Sequence, residues 1–241
     1  MYKKRDVISS LLILIALAVA TTGCYQKVRV GDLQTKSQTI ELDDADSVNV
    51  EIEMGAGKLD LSGGAGELLE ASFIYNVEEL NPRATYSSGR LEVKDSGVSI
   101  GVASLADLAD YRCEWVLKLN EDVPMEMKID LGAGSSNLAL GTLALTNLII
   151  NGGVGEVTID LTGEWQHDLD ARIGGGLGDI HLLLPRDIGV RIEVETGIGA
   201  VDASDLTRNG NTYINDAYGV SDVTLRIHID GGVGQINLEV K

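Results

Sequence analysis

The chain has 241 residues, of which 29 are glycine and only 3 are proline, and its formal net charge at pH 7 is -18. A surface of this charge repels nucleic acid and anionic lipid headgroups, which excludes nucleic-acid binding. Abundant glycine with little proline and many Val, Ile and Leu residues is not a disordered composition. It is typical of many short strands joined by tight turns.

The N-terminus, MYKKRDVISSLLILIALAVATTGC, has the order of a secretory leader. Lys3, Lys4 and Arg5 precede an apolar run at residues 7–20, which is shorter than the roughly 20 residues that a membrane-spanning helix needs. The sequence therefore predicts export and a cleaved signal peptide at residues 1–23. Because this leader holds three basic residues and one acidic residue, the mature chain would carry a net charge of -20.

The segment TTGC resembles the lipobox of bacterial lipoproteins, although Thr21 stands where that motif prefers leucine. The resemblance implies a diacylglyceryl group on Cys24, which would become the first mature residue, and two or more acyl chains make a stable membrane anchor. Cys113 is the other cysteine of the chain, so a lipidated Cys24 leaves no internal disulfide. Residues 24–46 are polar and without apolar periodicity, which predicts a flexible tether.

Pairs of glycines, each spaced G-x-G, recur along the rest of the chain. Counted on the second glycine, the spacings between Gly134, Gly155, Gly178 and Gly199 are 21, 23 and 21 residues. A period near 20 residues, with units too small to bury their own apolar face, predicts a stacked solenoid. Glycine suits a corner because it adopts positive φ and lets neighbouring backbones approach closely. The predicted corner glycines are Gly55, Gly57, Gly132, Gly134, Gly153, Gly155, Gly176, Gly178, Gly197, Gly199, Gly232 and Gly234.

The residues on both sides of each corner alternate between apolar and polar. After one corner, Val157, Ile159 and Leu161 share a face, and residues 225–229 alternate in the same way before the last corner. This period of two is typical of half-buried strands. The predicted fold class is all-β, a β-solenoid or roll whose rungs of about 21 residues each run strand, G-x-G, strand and a looser turn.

Two stretches depart from the period. From Gly199 to Gly234 the interval grows to 35 residues, and the surplus DLTRNGNTYINDAYGVSD predicts an enlarged turn or an edge-covering loop. Between residues 47 and 130 the repeat lapses, although strands are still predicted, and VASLADLAD at 102–110 is predicted as a short helix or helical turn. The expected organisation is a less regular N-terminal β portion at 47–130 and a glycine-cornered solenoid at 131–241.

The stretches EWVLKLNEDVPMEMKIDLGAGSSNLALGTLALTNLIINGGVGEVTIDLTGEW, GGGLGDIHLLLPRDIGVRIEVETGIGAV and IHIDGGVGQINLEV resemble the bacterial toast-rack domain family and the related putative-adhesin domains. Similar segments occur in cell-envelope stress proteins of the LiaF and LiaG type. The resemblance covers roughly residues 47–241 and carries no catalytic motif. It implies a β-solenoid or roll-like all-β fold and a surface location.

The glycine clusters do not predict a nucleotide site, because each leads into a strand and not into a helix N-terminus. The calcium-binding repeat G-G-x-G-x-D is absent too, since the acid comes one place early, at Glu156 and Asp179. These two residues hold equivalent positions in adjacent units, which would set like charges about 5 Å apart. Two interpretations stay open at this point: solvated carboxylates, or a bound cation such as Ca²⁺. No other cofactor is predicted.

Catalysis has little support in the sequence. His167, His181 and His228 stand far apart, and no metalloprotease or nucleophile motif surrounds them. Outward, solvated histidines are expected, and Cys113 in YRCEWVL is expected to be a buried, inert thiol. The chain is therefore predicted not to be an enzyme.

Three aromatic residues form a candidate recognition surface: Tyr213 and Tyr218 in the enlarged loop, and Trp165 in TGEWQHD. They could stack on sugars, or they could seal the solenoid. The leading functional hypothesis is a lipid-anchored protein on the outer face of a bacterial membrane that binds an envelope protein or glycan, as an adhesin-like or envelope-stress accessory module. The alternatives are a carbohydrate-active β-helix enzyme that uses surface carboxylates and a purely structural surface protein.

Overall fold

The computed structural model of the chain describes residues 30–95 and 110–241. The predicted signal peptide and Cys24 lie outside these residues, and so does the predicted helix at 102–110 apart from its last residue. Across the two described ranges the only helical element is a 3₁₀ turn at Glu78–Leu80, and no helix there is long and apolar enough to cross a membrane.

The described strands all join one hydrogen-bonded network, so the predicted all-β class is confirmed. They are β1 (Gln34–Ile40), β2 (Val48–Ser62), β3 (Leu69–Tyr75), β4 (Arg83–Ser87), β5 (Arg90–Lys94), β6 (Cys113–Leu119), β7 (Met125–Ala139), β8 (Leu145–Asn151), β9 (Val154–Asp160), β10 (Leu169–Gly174), β11 (Ile180–Leu184), β12 (Gly189–Ser204), β13 (Thr207–Asn209), β14 (Thr212–Ile214) and β15 (Thr224–Val240).

Each G-x-G pair is a bend inside a rung. Strands β2, β7, β12 and β15 continue through it, whereas β8 with β9 and β10 with β11 form the same rung in two pieces. In β15 the buried side chains run from Leu225 to Ile229 on odd positions and from Ile236 to Val240 on even positions. Side chains alternate between the two faces of a strand. This shift by one residue at the corner therefore keeps the apolar side chains of both arms of the rung, before and after the corner, directed into the interior.

The arms form two sheets that share one core. The arms before the corner give a first-arm sheet in the order β4, β5, β2, β7, β8, β10, β15, β12, β14, β13, and the arms after it give a second-arm sheet in the order β1, β3, β6, β2, β7, β9, β11, β15, β12. Their inward side chains belong to a single hydrophobic cluster. Trp115 and Phe73, which pack edge to face with ring centroids 5.6 Å apart, are its largest fully buried side chains.

The rungs do not stack in chain order. Strand β15 pairs in parallel with β10 and β11 on one side and with β12 on the other, so the C-terminal rung lies between the fourth and the fifth. The surplus residues between Gly199 and Gly234 make this insertion possible because they lead the chain back to the inner side of β12, where β15 pairs with it. They form the β13–β14 hairpin, and β14 pairs with β12 at Arg191–Glu193, so that the predicted edge-covering loop protects the first-arm sheet.

Two predicted boundaries are wrong. Residues 34–40 of the predicted tether form β1, which pairs antiparallel with β3 at the edge of the second-arm sheet. No side chain of β1 is fully buried, so the strand depends on backbone hydrogen bonds. Its sequence therefore lacks the apolar alternation by which a strand is predicted. The boundary between 130 and 131 falls inside β7, which pairs with β2 along its length. The N-terminal portion and the solenoid therefore belong to one stack.

Candidate interaction surface

The corner glycines form two ladders in which backbones touch. A Cβ on Gly134 would lie 1.8 Å from the Gly57 carbonyl oxygen, and a Cβ on Gly155 would lie 1.7 Å from the Gly134 oxygen. The same approach continues up the stack through Gly178 and Gly234, and the φ angles of Gly155, Gly178 and Gly234 are +139°, +139° and +150°. Only glycine fits these positions, because any side chain would occupy the space of the neighbouring carbonyl.

The residue between the two glycines of each pair points outward. We name the row of these residues the corner ridge, and in stacking order it consists of Ala56, Ala133, Val154, Leu177, Val233 and Ile198. Its last four members are 55%, 54%, 44% and 73% exposed. Since neighbouring rungs are about 4.8 Å apart, these four side chains form a continuous apolar row about 15 Å long.

Carboxylates border the apolar part of the corner ridge on both sides. Asp230 and Glu195 lie two residues before the first glycine of their corners, and Glu156 and Asp179 directly follow the second glycine of theirs. Asp230, Glu195 and Glu156 are exposed, and Asp179 is half-buried. Near the alanine end, by contrast, Asp130 is held by the Lys128 ammonium at 2.5 Å and accepts a hydrogen bond from Asn151 at 2.6 Å. The exposed apolar residues therefore lie in a strip of negative potential.

Glu156 and Asp179 occupy neighbouring rungs, as the repeat predicts, but each has a different partner. Asp179 Oδ1 accepts the backbone N–H of Gln235 at 2.9 Å, and Glu156 Oε1 lies 3.6 Å from His181 Nε2. The described carboxylate and histidine groups whose ligand atoms all lie within 4.8 Å of one another are Glu195 with His228 and Asp230, and Glu51 with Glu53 and Asp130. A cation between Glu156 and Asp179 stays a prediction.

The three predicted aromatic residues do not form a recognition surface. Trp165 is buried and donates its indole N–H to the Leu161 carbonyl oxygen at 2.9 Å. Tyr213 is buried beneath the Arg208 guanidinium, which lies 5.4 Å from the ring centroid. Tyr218 is the exposed member. Burial of two of the three rings corresponds to the sealing role, because a ring covered by its own chain has no face left for a sugar.

The described histidines and Cys113 do not meet. His181 lies in the second-arm sheet, His228 in the first-arm sheet, and His167 is exposed in the loop before β10. Cys113 is buried as a free thiol, and burial raises its pKa, so the reactive thiolate is disfavoured. Tyr111, whose hydroxyl donates to the Ala56 carbonyl oxygen at 2.8 Å, covers the same region, and its pKa is also raised by burial.

Sequence reasoning identified the glycines of each corner but overlooked the residue between them. The signal is present in the letters: the central position is alanine in the first two corners and Val, Leu or Ile in the other four. A large apolar residue at a tight, exposed corner contributes nothing to the core, so its apolar character is not explained by folding of this chain alone.

Comparisons with known proteins agree with this architecture. The family model described as "N-terminal domain of toast_rack, DUF2154" matches residues 29–183, and the model described as "Cell wall-active antibiotics response LiaF, C-terminal" matches residues 134–238. No curated protein matches the chain.

Among solved structures, a "putative cell adhesion protein" from Clostridium sporogenes is 34% identical, with a TM-score of 0.82, and the match covers 87% of this chain and 100% of that one. A "putative adhesin" from Bacteroides fragilis is 11% identical with a TM-score of 0.36, over 86% of this chain and 97% of its own. The family model spans more than half of the chain, and the Clostridium sporogenes protein matches along its whole length. This chain therefore belongs to the toast-rack family.

Proposed function

We propose that this protein is a non-enzymatic, lipid-anchored module of the bacterial cell envelope that binds another envelope molecule through its corner ridge. The exposed apolar row from Val154 to Ile198 carries this proposal. Contiguous apolar patches on the surface of a soluble protein often mark interaction sites. Completing the burial of these four half-exposed side chains would contribute roughly 1 kcal/mol each to binding.

The observations favour a protein over a glycan as the partner. Sugar recognition relies on exposed aromatic faces, and two of the three candidate aromatic rings, those of Trp165 and Tyr213, are buried. The corner ridge instead offers aliphatic side chains bordered by carboxylates, a surface that matches an apolar protein strip with basic residues beside it.

Four features support the location. The leader and the lipobox-like TTGC segment predict export and lipidation of Cys24. The match to the LiaF C-terminal model and the similarity to a protein named for cell adhesion agree with an envelope site. The polar residues before β1 would then hold the stack close to the membrane surface.

Photo-crosslinking in living cells tests the proposal. A photoreactive amino acid replaces Leu177 on the corner ridge of the full, membrane-anchored chain, and a matched variant carries it at Val220, which is exposed but lies in the loop before β15. We expect Leu177 to capture a discrete envelope protein that Val220 does not capture. Equal capture at both positions, or none at Leu177, would contradict the proposal, and capture of glycan alone would replace the protein partner with a carbohydrate.

A further inference from the structure

The two sheets end differently at the β12 end of the stack. In the first-arm sheet, β14 pairs with β12 at Arg191–Glu193, and the Val194 N–H donates to the Asn211 carbonyl oxygen at 2.9 Å. In the second-arm sheet, β12 pairs with β15 along one edge from Ile198 to Ser204. No strand within the described ranges pairs with its other edge. We name this outer edge of Ile198–Ser204 the open edge.

The opposite end of the second-arm sheet is protected. Strand β1 is its last strand, and there Lys36 Nζ donates to the Pro82 carbonyl oxygen at 2.8 Å. The Gln38 side chain both donates to and accepts from the backbone of Ala84, at 2.5 and 3.1 Å. The first corner is covered too, since a Cβ on Gly57 would lie 2.2 Å from the Cys113 carbonyl oxygen. One copy of the chain therefore cannot continue the stack of another from head to tail.

The open edge lacks the usual protections against strand pairing. Its sequence, IGAVDAS, contains no lysine, arginine or proline, which commonly block edge strands. Val201 and Ala203 point inward, but they are only partly buried, because no further rung covers them. Asp202 points outward and is exposed. The edge thus offers unpaired backbone groups together with an unfinished piece of core.

We propose that the open edge accepts an extended segment of a different polypeptide, which adds to the second-arm sheet as a further parallel strand. The strands below it, β9, β11, β15 and β12, are all parallel, and strand addition gives affinity through main-chain hydrogen bonds. Because Val201 and Ala203 need covering, the segment carries apolar residues at alternate positions. Asp202 selects a basic residue between them. A second copy pairing through its own open edge would bring acidic edges together in a chain of charge -18.

The glycine ladder sets one further requirement. At every step from Gly134 to Gly199, a Cβ would lie 1.7 or 1.8 Å from the carbonyl oxygen of the preceding glycine. A partner segment that continues across the corner must therefore place glycine beside Gly199. The recognised pattern is glycine, any residue, apolar, basic, apolar. This site shares only Ile198 with the corner ridge, and the inference does not depend on the proposed function.

A synthetic peptide, GVGQIKLKV, is a suitable probe. It copies residues 232–240, of which 233–239 already pair with the inner edge of β12, with lysines in place of Asn237 and Glu239. Binding to the full chain is followed by fluorescence anisotropy, and amide hydrogen exchange locates the protected backbone. We expect protection of residues 198–204 and weaker binding of the same peptide with alanine for its second glycine.

Two matched variants separate pairing from general charge attraction. Asp202→Lys should weaken peptide binding by roughly fivefold to tenfold, because it reverses the one charge on the open edge. Asp222→Lys makes the same charge change at an exposed loop position and should leave binding unchanged. The inference is overturned if residues 198–204 gain no protection, if both peptides bind equally, or if both variants weaken binding alike. Self-association that Asp202→Lys abolishes would also overturn it, since a second copy would then occupy the edge.

Discussion

Substitution of Gly155 by alanine tests whether the close approach of backbones holds the stack together. The new Cβ would lie 1.7 Å from the Gly134 carbonyl oxygen, whereas ordinary contacts begin near 3.4 Å. Neighbouring rungs would have to separate by about 1.7 Å at this point. The rung cannot simply slide away, because the Gly155 N–H donates to the Leu177 carbonyl oxygen at 2.8 Å on the opposite side.

The expected cost follows from two effects. Separation of the rungs breaks two or three backbone hydrogen bonds, each contributing about 1 kcal/mol. The φ of Gly155, +139°, adds a backbone strain of about 1–3 kcal/mol for alanine. We expect Gly155→Ala to lower the free energy of unfolding by about 4 kcal/mol, a large part of the 5–15 kcal/mol that is typical of folded domains.

Two further variants separate these effects. Gly210 has φ +65° and nothing within 4 Å of its Cβ position, so Gly210→Ala carries only the strain of a left-handed φ, about 1 kcal/mol, without a close approach. A Cβ on Gly199 would also lie 1.7 Å from a carbonyl oxygen, that of Gly234, but Gly199 does not have a left-handed φ. It lies on the outermost rung. Because that rung has room to move outward, Gly199→Ala should cost about 2 kcal/mol, less than Gly155→Ala.

The assay is urea unfolding of the full chain, followed by circular dichroism and by the fluorescence of the buried Trp115 and Trp165. The reasoning would be refuted if Gly155→Ala cost no more than Gly210→Ala, because backbone strain alone would then explain the glycines. If Gly199→Ala cost as much as Gly155→Ala, confinement between two rungs would not be the cause.

Three other outcomes are expected. Asn215 is buried, accepts the Val190 N–H at 2.9 Å and donates to the Ile188 carbonyl oxygen at 2.7 Å, so Asn215→Ala should cost about 2–4 kcal/mol in urea unfolding. A backbone N–H and a guanidinium hold the pKa of Asp168 below its ordinary 3.8. Its contribution to stability is therefore present above that value and is lost as the pH falls through the lower folded pKa, and Asp168→Asn should flatten the decline of stability measured below about pH 4. Cys113, whose thiol pKa is raised by burial, should react with iodoacetamide only after unfolding, and rapid labelling of the folded chain would contradict its placement in the core.

The sequence by itself determined the rung. The alternation on each side of a G-x-G pair, as in residues 225–229 and 236–240, depends only on which side chains face inward, and a strand settles that locally. The corner glycines could also be predicted from the sequence, because the close approach of backbones that excludes a Cβ recurs at every corner. The all-β class and the repeating unit could therefore be predicted, and the family resemblance agrees with them.

Only the tertiary structure decided how the rungs are ordered and what covers them. All rungs present similar alternation, so nothing local tells β15 to lie between β11 and β12 and not beyond β12. Strand β1 exists because β3 offers it hydrogen bonds, and Trp165 is buried because it joins the hydrophobic cluster that the rungs share. The corner ridge and the open edge are likewise defined by neighbours that are present or missing. Whether a residue or a strand edge is exposed depends on the assembled stack, and it cannot be predicted from the sequence of a single rung.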